Sequence, residues 1–410
     1  MLRLDERRLL GALDELASIG AIEGGGCARL ALTDEDRVGR DLVVGWMKAL
    51  GLAVTVDAIG NVVGVRAGTE DLAPVMTGSH IDTVRTGGRY DGNYGVLAGL
   101  EVVRALNEAG VTTRRPIAVA FFTNEEGARF QPDMMGSLVY VGGIGLNEAY
   151  AAADKDRASV GDELRRIGYL GPAKPGAVKP YAFVELHIEQ GPILDEEKVQ
   201  IGVVESVQGI SWTEYTVTGI SNHAGTTPMR LRRDAGLAAA RIDVKLDEMA
   251  RSGRYGPEMR ATMGRLEVWP GRVNVVPSRV IATADLRNPS DEGMARAEAD
   301  LDAFLTSLAA ELGVEIRWRQ TAKTAHVPFS PVIQAVITRH VSAITPRWQP
   351  ILSGAGHDAQ ELAAICPTAM VFVPGLYEGI SHNPREYSTP EACGRGVEVL
   401  GRTILELANQ

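Results

Sequence analysis

Cysteine is scarce in this chain: three among 410 residues, Cys27, Cys366 and Cys393. So few and so scattered, they exclude a disulfide framework and a cysteine-rich zinc site, and they fit a reducing compartment. Long apolar runs are missing as well; no stretch is long enough to span a membrane. The opening Met1-Leu2-Arg3-Leu4-Asp5-Glu6-Arg7-Arg8 is charged and lacks the apolar core of a signal peptide, so the expected location is cytoplasmic. There is no basic excess. Lys and Arg number 42 against 52 Asp and Glu, a formal net charge of -10. That balance excludes a general nucleic-acid binder, which needs clustered cations to neutralise phosphates. It leaves room for a small anionic substrate, because one local arginine can dominate a pocket. Internal repeats, coiled-coil heptads and low-complexity tracts are also lacking.

What is present is ordinary in bulk: 45% hydrophobic and 23% charged residues, in a chain long enough to expect two domains. Apolar spacing predicts helices over 6–16 and 34–50, the second capped by Thr33 and stopped near Gly51. Two strands around a Gly60-Asn61 turn are expected within 53–65. Apolar strands then alternate with helical stretches to about Val207, the pattern of helices covering a largely parallel sheet. From 208 to 325 the order changes to β-α-β-β-α-β, with strands over 212–218, 261–269, 279–287 and 314–320 and helices over 233–250 and 292–312. This is the ferredoxin-like arrangement. After His326 the α/β character returns, with a helix over 331–344. The expectation is an α/β catalytic domain (1–207 and 326–410) interrupted by a smaller α+β domain (208–325).

Metal-type side chains cluster where buried strands should end. His80 and Asp82 follow the apolar run 73–77, and Asp91 lies in the Gly-rich 87–92. Glu125 and Glu126 follow 117–123, His187 follows 181–184, and His382 comes after 369–373. In an open α/β sheet, ligands bind at the carboxyl ends of the strands. His80 and Asp82 are two residues apart, which places both on one side of an extended segment. A carboxylate there can hold the second ring nitrogen of a metal-bound histidine. An aspartate such as Asp91 can bridge two cations with its two oxygens. Of adjacent glutamates at a strand end, one can ligate metal while the other stays free as a general base. Taken singly, each of these residues has a plain structural reading, a solvated Glu pair or a histidine with a local partner. Their shared position at sheet ends is what points to hydrolytic metal chemistry.

Six strings carry a resemblance to a known family: Gly-Ser-His-Ile-Asp-Thr-Val (78–84), Gly-Arg-Tyr-Asp-Gly (88–92), Asn-Glu-Glu-Gly-Ala-Arg-Phe (124–130), Glu-Leu-His-Ile-Glu-Gln-Gly-Pro (185–192), Asn-His-Ala-Gly-Thr-Thr-Pro-Met (222–229) and Gly-Ala-Gly-His-Asp-Ala (354–359). In order and from about residue 5 to 405, they resemble the hydantoinase/carbamoylase-type amidases. These include N-carbamoyl-L-amino acid hydrolases, allantoate amidohydrolases and β-ureidopropionases, a branch of the aminoacylase/carboxypeptidase-like dimetal hydrolases. One departure is Ala128, where Gly-Ser or Gly-Val is more familiar after the Glu pair; it touches no ligand position.

The resemblance implies two divalent ions per subunit, drawn from zinc, manganese, cobalt or nickel, since His, Asp and Glu suit all four. His80, Asp91 and His187 would hold one ion, and Asp91, Glu126 and His382 the other, with Asp91 bridging. Glu125 would be the base and Asp82 the clamp on His80. His223 would reach a partner subunit's active site and donate to the substrate carbonyl. Asn274 and Arg287 would bind the substrate carboxylate, for which the arginine fork is suited. Gln190 would read the urea-type amide, and Gly356 and His357 belong to a motif near the site, where packing is an equally fitting role for His357. His326 and His340 read as structural. The implied reaction is hydrolysis of the carbamoyl C–N bond of N-carbamoyl-L-amino acids, in a homodimer formed mainly through the small domain. Allantoate or β-ureidopropionate hydrolysis, an N-acyl amino acid hydrolase or dipeptidase, and a catalytically silent metal-binding protein are the alternatives.

Overall fold

The computed structural model describes residues 2–410. It divides into two compact units, Met1–Glu205 with Pro328–Gln410, and Ser206–Val327.

Along the chain the strands are Ala53–Val56 (β1), Val62–Arg66 (β2), Val75–His80 (β3), Ile117–Phe122 (β4), Ala182–Ile188 (β5), Ile201–Val207 (β6), Gly209–Thr218 (β7), Arg260–Thr262 (β8), Leu266–Trp269 (β9), Arg279–Asn288 (β10), Glu315–Thr324 (β11), Val327–Pro328 (β12), Trp348–Ser353 (β13) and Thr368–Val373 (β14). The larger sheet runs β1-β2-β4-β3-β5-β14-β6-β12, with β13 on β6. Its middle strands β4, β3, β5 and β14 are parallel. β3, β4, β5 and β14 are buried along their whole length, as strands covered on both faces must be. The helices Asn93–Glu108 and Pro390–Leu407 pack against this centre.

The centre is parallel, as expected, and antiparallel flanks make the whole sheet mixed. β1 pairs antiparallel with β2, β2 with β4, and β14 with β6. Only residues 57–61 separate β1 from β2, and a connection that short cannot make the crossover a parallel pair needs. Helix Asp34–Ala49 begins at the predicted cap, where Thr33 Oγ1 accepts from the Asp36 N–H at 3.2 Å. Two histidines sit earlier than expected: His80 is the last residue of β3, and His187 lies inside β5.

In the smaller unit the sheet runs β11-β7-β10-β8, with β9 also on β10, and the pairs are antiparallel. The predicted single strand over 261–269 is two short ones. Ile242 and Leu246 of helix Ala235–Arg251, and Leu301 and Leu305 of helix Asp291–Leu312, share a buried cluster with Tyr215, Val217, Val280 and Ala282. Alternation along β10 buries Val280, Ala282, Ala284 and Leu286 toward the helices. It turns Asp285 and Arg287 to the opposite face. Among the described residues no helix is long and apolar enough to cross a membrane.

Candidate metal centre

The parallel strands of the larger unit end side by side: His80 pairs in register with Phe122, and His187 with Phe372. Chain reversals beyond those ends bring in Asp91, Glu125, Glu126 and His382. The ligand atoms of His80, Asp91 and His187 lie within 4.8 Å of one another, and so do those of Asp91, Glu126 and His382. Asp91 belongs to both groups, and its two oxygens face different ways. Oδ1 stands 3.5 Å from His80 Nε2 and 3.3 Å from His187 Nε2, while Oδ2 stands 3.5 Å from His382 Nε2. Glu126 Oε2 lies 3.1 Å from His382 Nε2, and its other oxygen is buried without a hydrogen bond. Gly92, at φ +64°, makes this approach available, because a Cβ there would overlap His80 ring atoms.

Both buried histidines are oriented from behind. His80 Nδ1 faces the Asp82 carbonyl and His187 Nδ1 the Ile188 carbonyl, each at 2.9 Å. These acceptors fix the proton on Nδ1 and turn Nε2 toward Asp91. The Gly92 N–H also rests on His187 Nε2 at 3.0 Å.

Buried acids and imidazoles here shift one another's protonation. Burial alone would lower the His80 pKa, but Glu125, Asp91, Asp82 and Glu126 outweigh it and hold it well above the usual value. His187 is raised for the same reason, with Asp91 as its main partner. Asp91 is driven well below the carboxylate range, because hydrogen bonds from His187 and His80 overcome its burial. Glu125, 7% exposed, is pushed well above the ordinary carboxyl value by burial and by Asp358, Glu126 and Asp91. Its Oε2 lies 3.3 Å from His80 Nε2. The hydrogen bond to Glu126 lifts His382 to about 9. The donor set fits divalent cations: imidazole nitrogens and carboxylate oxygens, one bridging acid and one orphaned acid oxygen.

Asp82 departs from its expected role. Its carboxylate does not hold the His80 ring; the backbone carbonyl does. The carboxylate instead accepts from the Glu125 and Glu126 N–H groups at 3.2 and 3.4 Å. Those amides emerge beyond the end of β4 with no strand partner, and a buried N–H needs an acceptor.

The profile of peptidase family M20/M25/M40 matches residues 76–406. The N-carbamoyl-L-amino-acid amidohydrolase of Rhizobium meliloti is 40% identical, over 99% of this chain and 97% of its own length. The N-carbamoyl-L-amino acid amidohydrolase of Geobacillus stearothermophilus is 41% identical, over 98% of both chains. A crystal structure of a hydantoinase/carbamoylase family amidase from Burkholderia multivorans superposes with a TM-score of 0.96 at 45% identity, covering 100% of this chain and 99% of that one. The chain belongs to the hydantoinase/carbamoylase amidases of the M20/M25/M40 peptidase family. It is a hydrolase of C–N bonds.

Other predicted residues of this amidase fall in three places. Gln190, at φ +56°, donates from Nε2 to Asp91 Oδ2 at 2.8 Å, and its Oε1 is buried without a partner. His357 is buried, with Nε2 3.0 Å from Ser353 Oγ and its ring edge-on to His187 at 4.6 Å. Burial holds it well below the usual histidine value, so it stands as a neutral wall behind His187. At neighbouring Gly356 a Cβ would press on Met134. In the smaller unit, His223 and Asn274 lie on two exposed loops joined by a bridge between His223 and Val275. The Gly225 N–H donates to His223 Nδ1 at 3.1 Å, and the Ala224 N–H to the Asn274 carbonyl at 2.9 Å. Arg287 pairs with Asp285, Nη2 to Oδ2 at 2.8 Å.

Three residues at this amidase's site escaped the sequence reading: Glu185, Ser381 and Glu386. Glu185, two residues before His187 on the same face of β5, accepts from Ser79 Oγ at 2.6 Å and from the Ala359 N–H at 2.8 Å. Ser381 and Glu386 flank His382, and that adjacency was the available signal.

Proposed function

We propose that this amidase hydrolyses the carbamoyl C–N bond of N-carbamoyl-L-amino acids, releasing the amino acid, ammonia and carbon dioxide. The observation that carries the reading is Asp91, which turns one oxygen to His80 and His187 and the other to His382. Beside it stands Glu125, a buried acid that neither ligand group requires. The relatives named for N-carbamoyl-L-amino acids support the substrate class.

His80, Asp91 and His187 would hold one divalent cation, and Asp91, Glu126 and His382 a second; zinc, manganese, cobalt and nickel all suit these donors. When bound, such cations polarise a carbonyl and acidify water. Glu125 takes the proton of the attacking water and returns it to the departing nitrogen. A carboxyl pushed upward by burial and by neighbouring acids is suited to that two-way traffic. Asp82 holds the backbone amides of Glu125 and Glu126, so it sets where both carboxylates point. Gln190, tied by its amide nitrogen to Asp91, offers Oε1 to a urea-type N–H. His223 supplies a hydrogen bond to the oxyanion. Arg287 and Asn274 take the substrate carboxylate; Arg287 keeps Asp285 as its resting partner.

The smaller unit would serve as lid and dimerisation domain of a homodimer. Its β9 supports this, with Leu266, Val268 and Trp269 exposed at 53%, 41% and 61%.

The test is ammonia release by manganese-loaded enzyme from N-carbamoyl-L-amino acids, allantoate, β-ureidopropionate and N-acyl amino acids. The highest kcat/KM is expected on an N-carbamoyl-L-amino acid. A preference for allantoate or β-ureidopropionate would move the activity within the family, and preference for N-acyl substrates would displace the ureido reading. No turnover on any would leave a metal-binding protein.

A further inference from the structure

Asp91 and His382 come from segments almost three hundred residues apart, yet the Asp91–Glu126–His382 group depends on their mutual placement. Glu386 joins those segments. It is 4% exposed, and its Oε1 accepts from the backbone N–H groups of Tyr90 and Asp91 at 2.9 and 3.1 Å. Its Oε2 stands 2.8 Å from Ser381 Oγ. The same hydroxyl lies 2.9 Å from Asp91 Oδ2, the oxygen that faces His382. Gly88 makes room for the acid: a Cβ there would overlap the Glu386 carboxylate. On the other side, Thr86 Oγ1 donates to the His382 carbonyl at 3.2 Å, and His382 itself is held at φ +53°. A non-glycine residue in that region persists only where its surroundings hold it.

These contacts are made to backbone groups, to the Ser381 hydroxyl and to Asp91 Oδ2. All of them fix two ligand side chains relative to one another. We infer that Glu386, acting through Ser381, is a positioning residue that sets the bridging geometry of Asp91 and the approach of His382, and so governs occupancy of the Asp91–Glu126–His382 cation position rather than the His80–Asp91–His187 position. The inference rests on the two-cation reading given above.

The experiment titrates metal-free, full-length protein with manganese against a competing chelator, and counts bound metal by elemental analysis. Wild type is expected to bind two ions per chain. Glu386→Ala should weaken one binding step by about 10–100-fold and leave the other within about threefold, the range seen when groups that orient metal ligands are removed. Glu386→Gln should be rescued to within about threefold of wild type. Its carbonyl still accepts both N–H groups, and its amide nitrogen still meets Ser381 Oγ. Ser381→Ala, which removes one hydroxyl and leaves the backbone braces intact, should weaken the same step by about tenfold; it carries the test if Glu386→Ala does not fold. Equal weakening of both steps, unchanged binding in both Glu386→Ala and Ser381→Ala, or a Gln variant as impaired as the Ala variant would each overturn the positioning role. Wild type binding fewer than two ions would overturn the two-cation reading itself, and this inference with it.

Discussion

The two units treat charge in opposite ways. In the larger one, Asp82, Asp91, Glu125, Glu185 and Glu386 are buried together with His80 and His187, and most of their polar atoms are held by backbone groups, by neighbouring side chains such as Ser79, Ser381 and Gln190, or by one another. In the smaller one, His223 and Asn274 ride on exposed loops, and Arg287 is half-buried and paired with Asp285. Buried charges are costly unless paired, so the first arrangement persists only where opposite charge, including bound cations, compensates it. Exposed groups cost little to hold and can change partners. Under the proposed function this contrast would separate chemistry from recognition, with the larger unit fixing atoms and the smaller one offering groups able to change partners.

The largest expected effect breaks the chemical side alone. Glu125→Gln should keep both metals and lower kcat by about 10³-fold or more, with KM little changed; removal of a positioned acid–base group typically costs 10²–10⁴-fold. Single-turnover rates with matched metal content check this. Near-normal kcat would remove Glu125 from the proton transfers, and a loss of metal would reassign it as a ligand.

The same contrast explains what was legible in the sequence. Buried strands announce themselves as apolar runs, so the ends of β3, β4, β5 and β14, and the residues gathered there, were readable from pattern. Helix caps such as Thr33 were readable because their signal is local. The strand directions at the sheet's flanks were not, since apolar runs look alike in parallel and antiparallel sheets. Nor were the braces. Asp82 serves amides 43 residues away and Glu386 serves amides 295 residues away, and a hydrogen bond between distant segments leaves no periodic trace. Gln190 shows the intermediate case: its motif marked it, yet its bond to Asp91 appears only in three dimensions.

Arg287→Ala probes the recognition side and should act more gently. KM for substrates bearing a carboxylate is expected to rise by about 10–100-fold, the worth of a charge-assisted hydrogen-bond pair, with kcat reduced less. A neutral amide of the same substrate should lose little. Equal losses on the charged and neutral compounds would mean that Arg287 supports β10 through Asp285 rather than reading the carboxylate.

The smallest effect sharpens the comparison from the stability side. In metal-free protein, burial raises Asp82 to about 6 and Glu386 to about 7, and Glu126 raises His382 to about 9. All three shifts have one sign. A group whose folded pKa is raised contributes stability that is present below its ordinary value and lost as pH rises through the folded one. Metal-free protein should therefore lose Tm as pH rises, through Asp82 between 3.8 and about 6, Glu386 between 4.5 and about 7, and His382 between 6.5 and about 9. His382 is half exposed and solvent screens its pairing, so the change should be small, about 2–4 °C. Excess manganese should flatten the slope, because cations favour the deprotonated forms. Differential scanning calorimetry of both forms across this range reads the result. A Tm that rises with pH in the metal-free protein would show that the acids of the larger unit are already compensated without metal, and the distinction between the two units would lose its electrostatic basis.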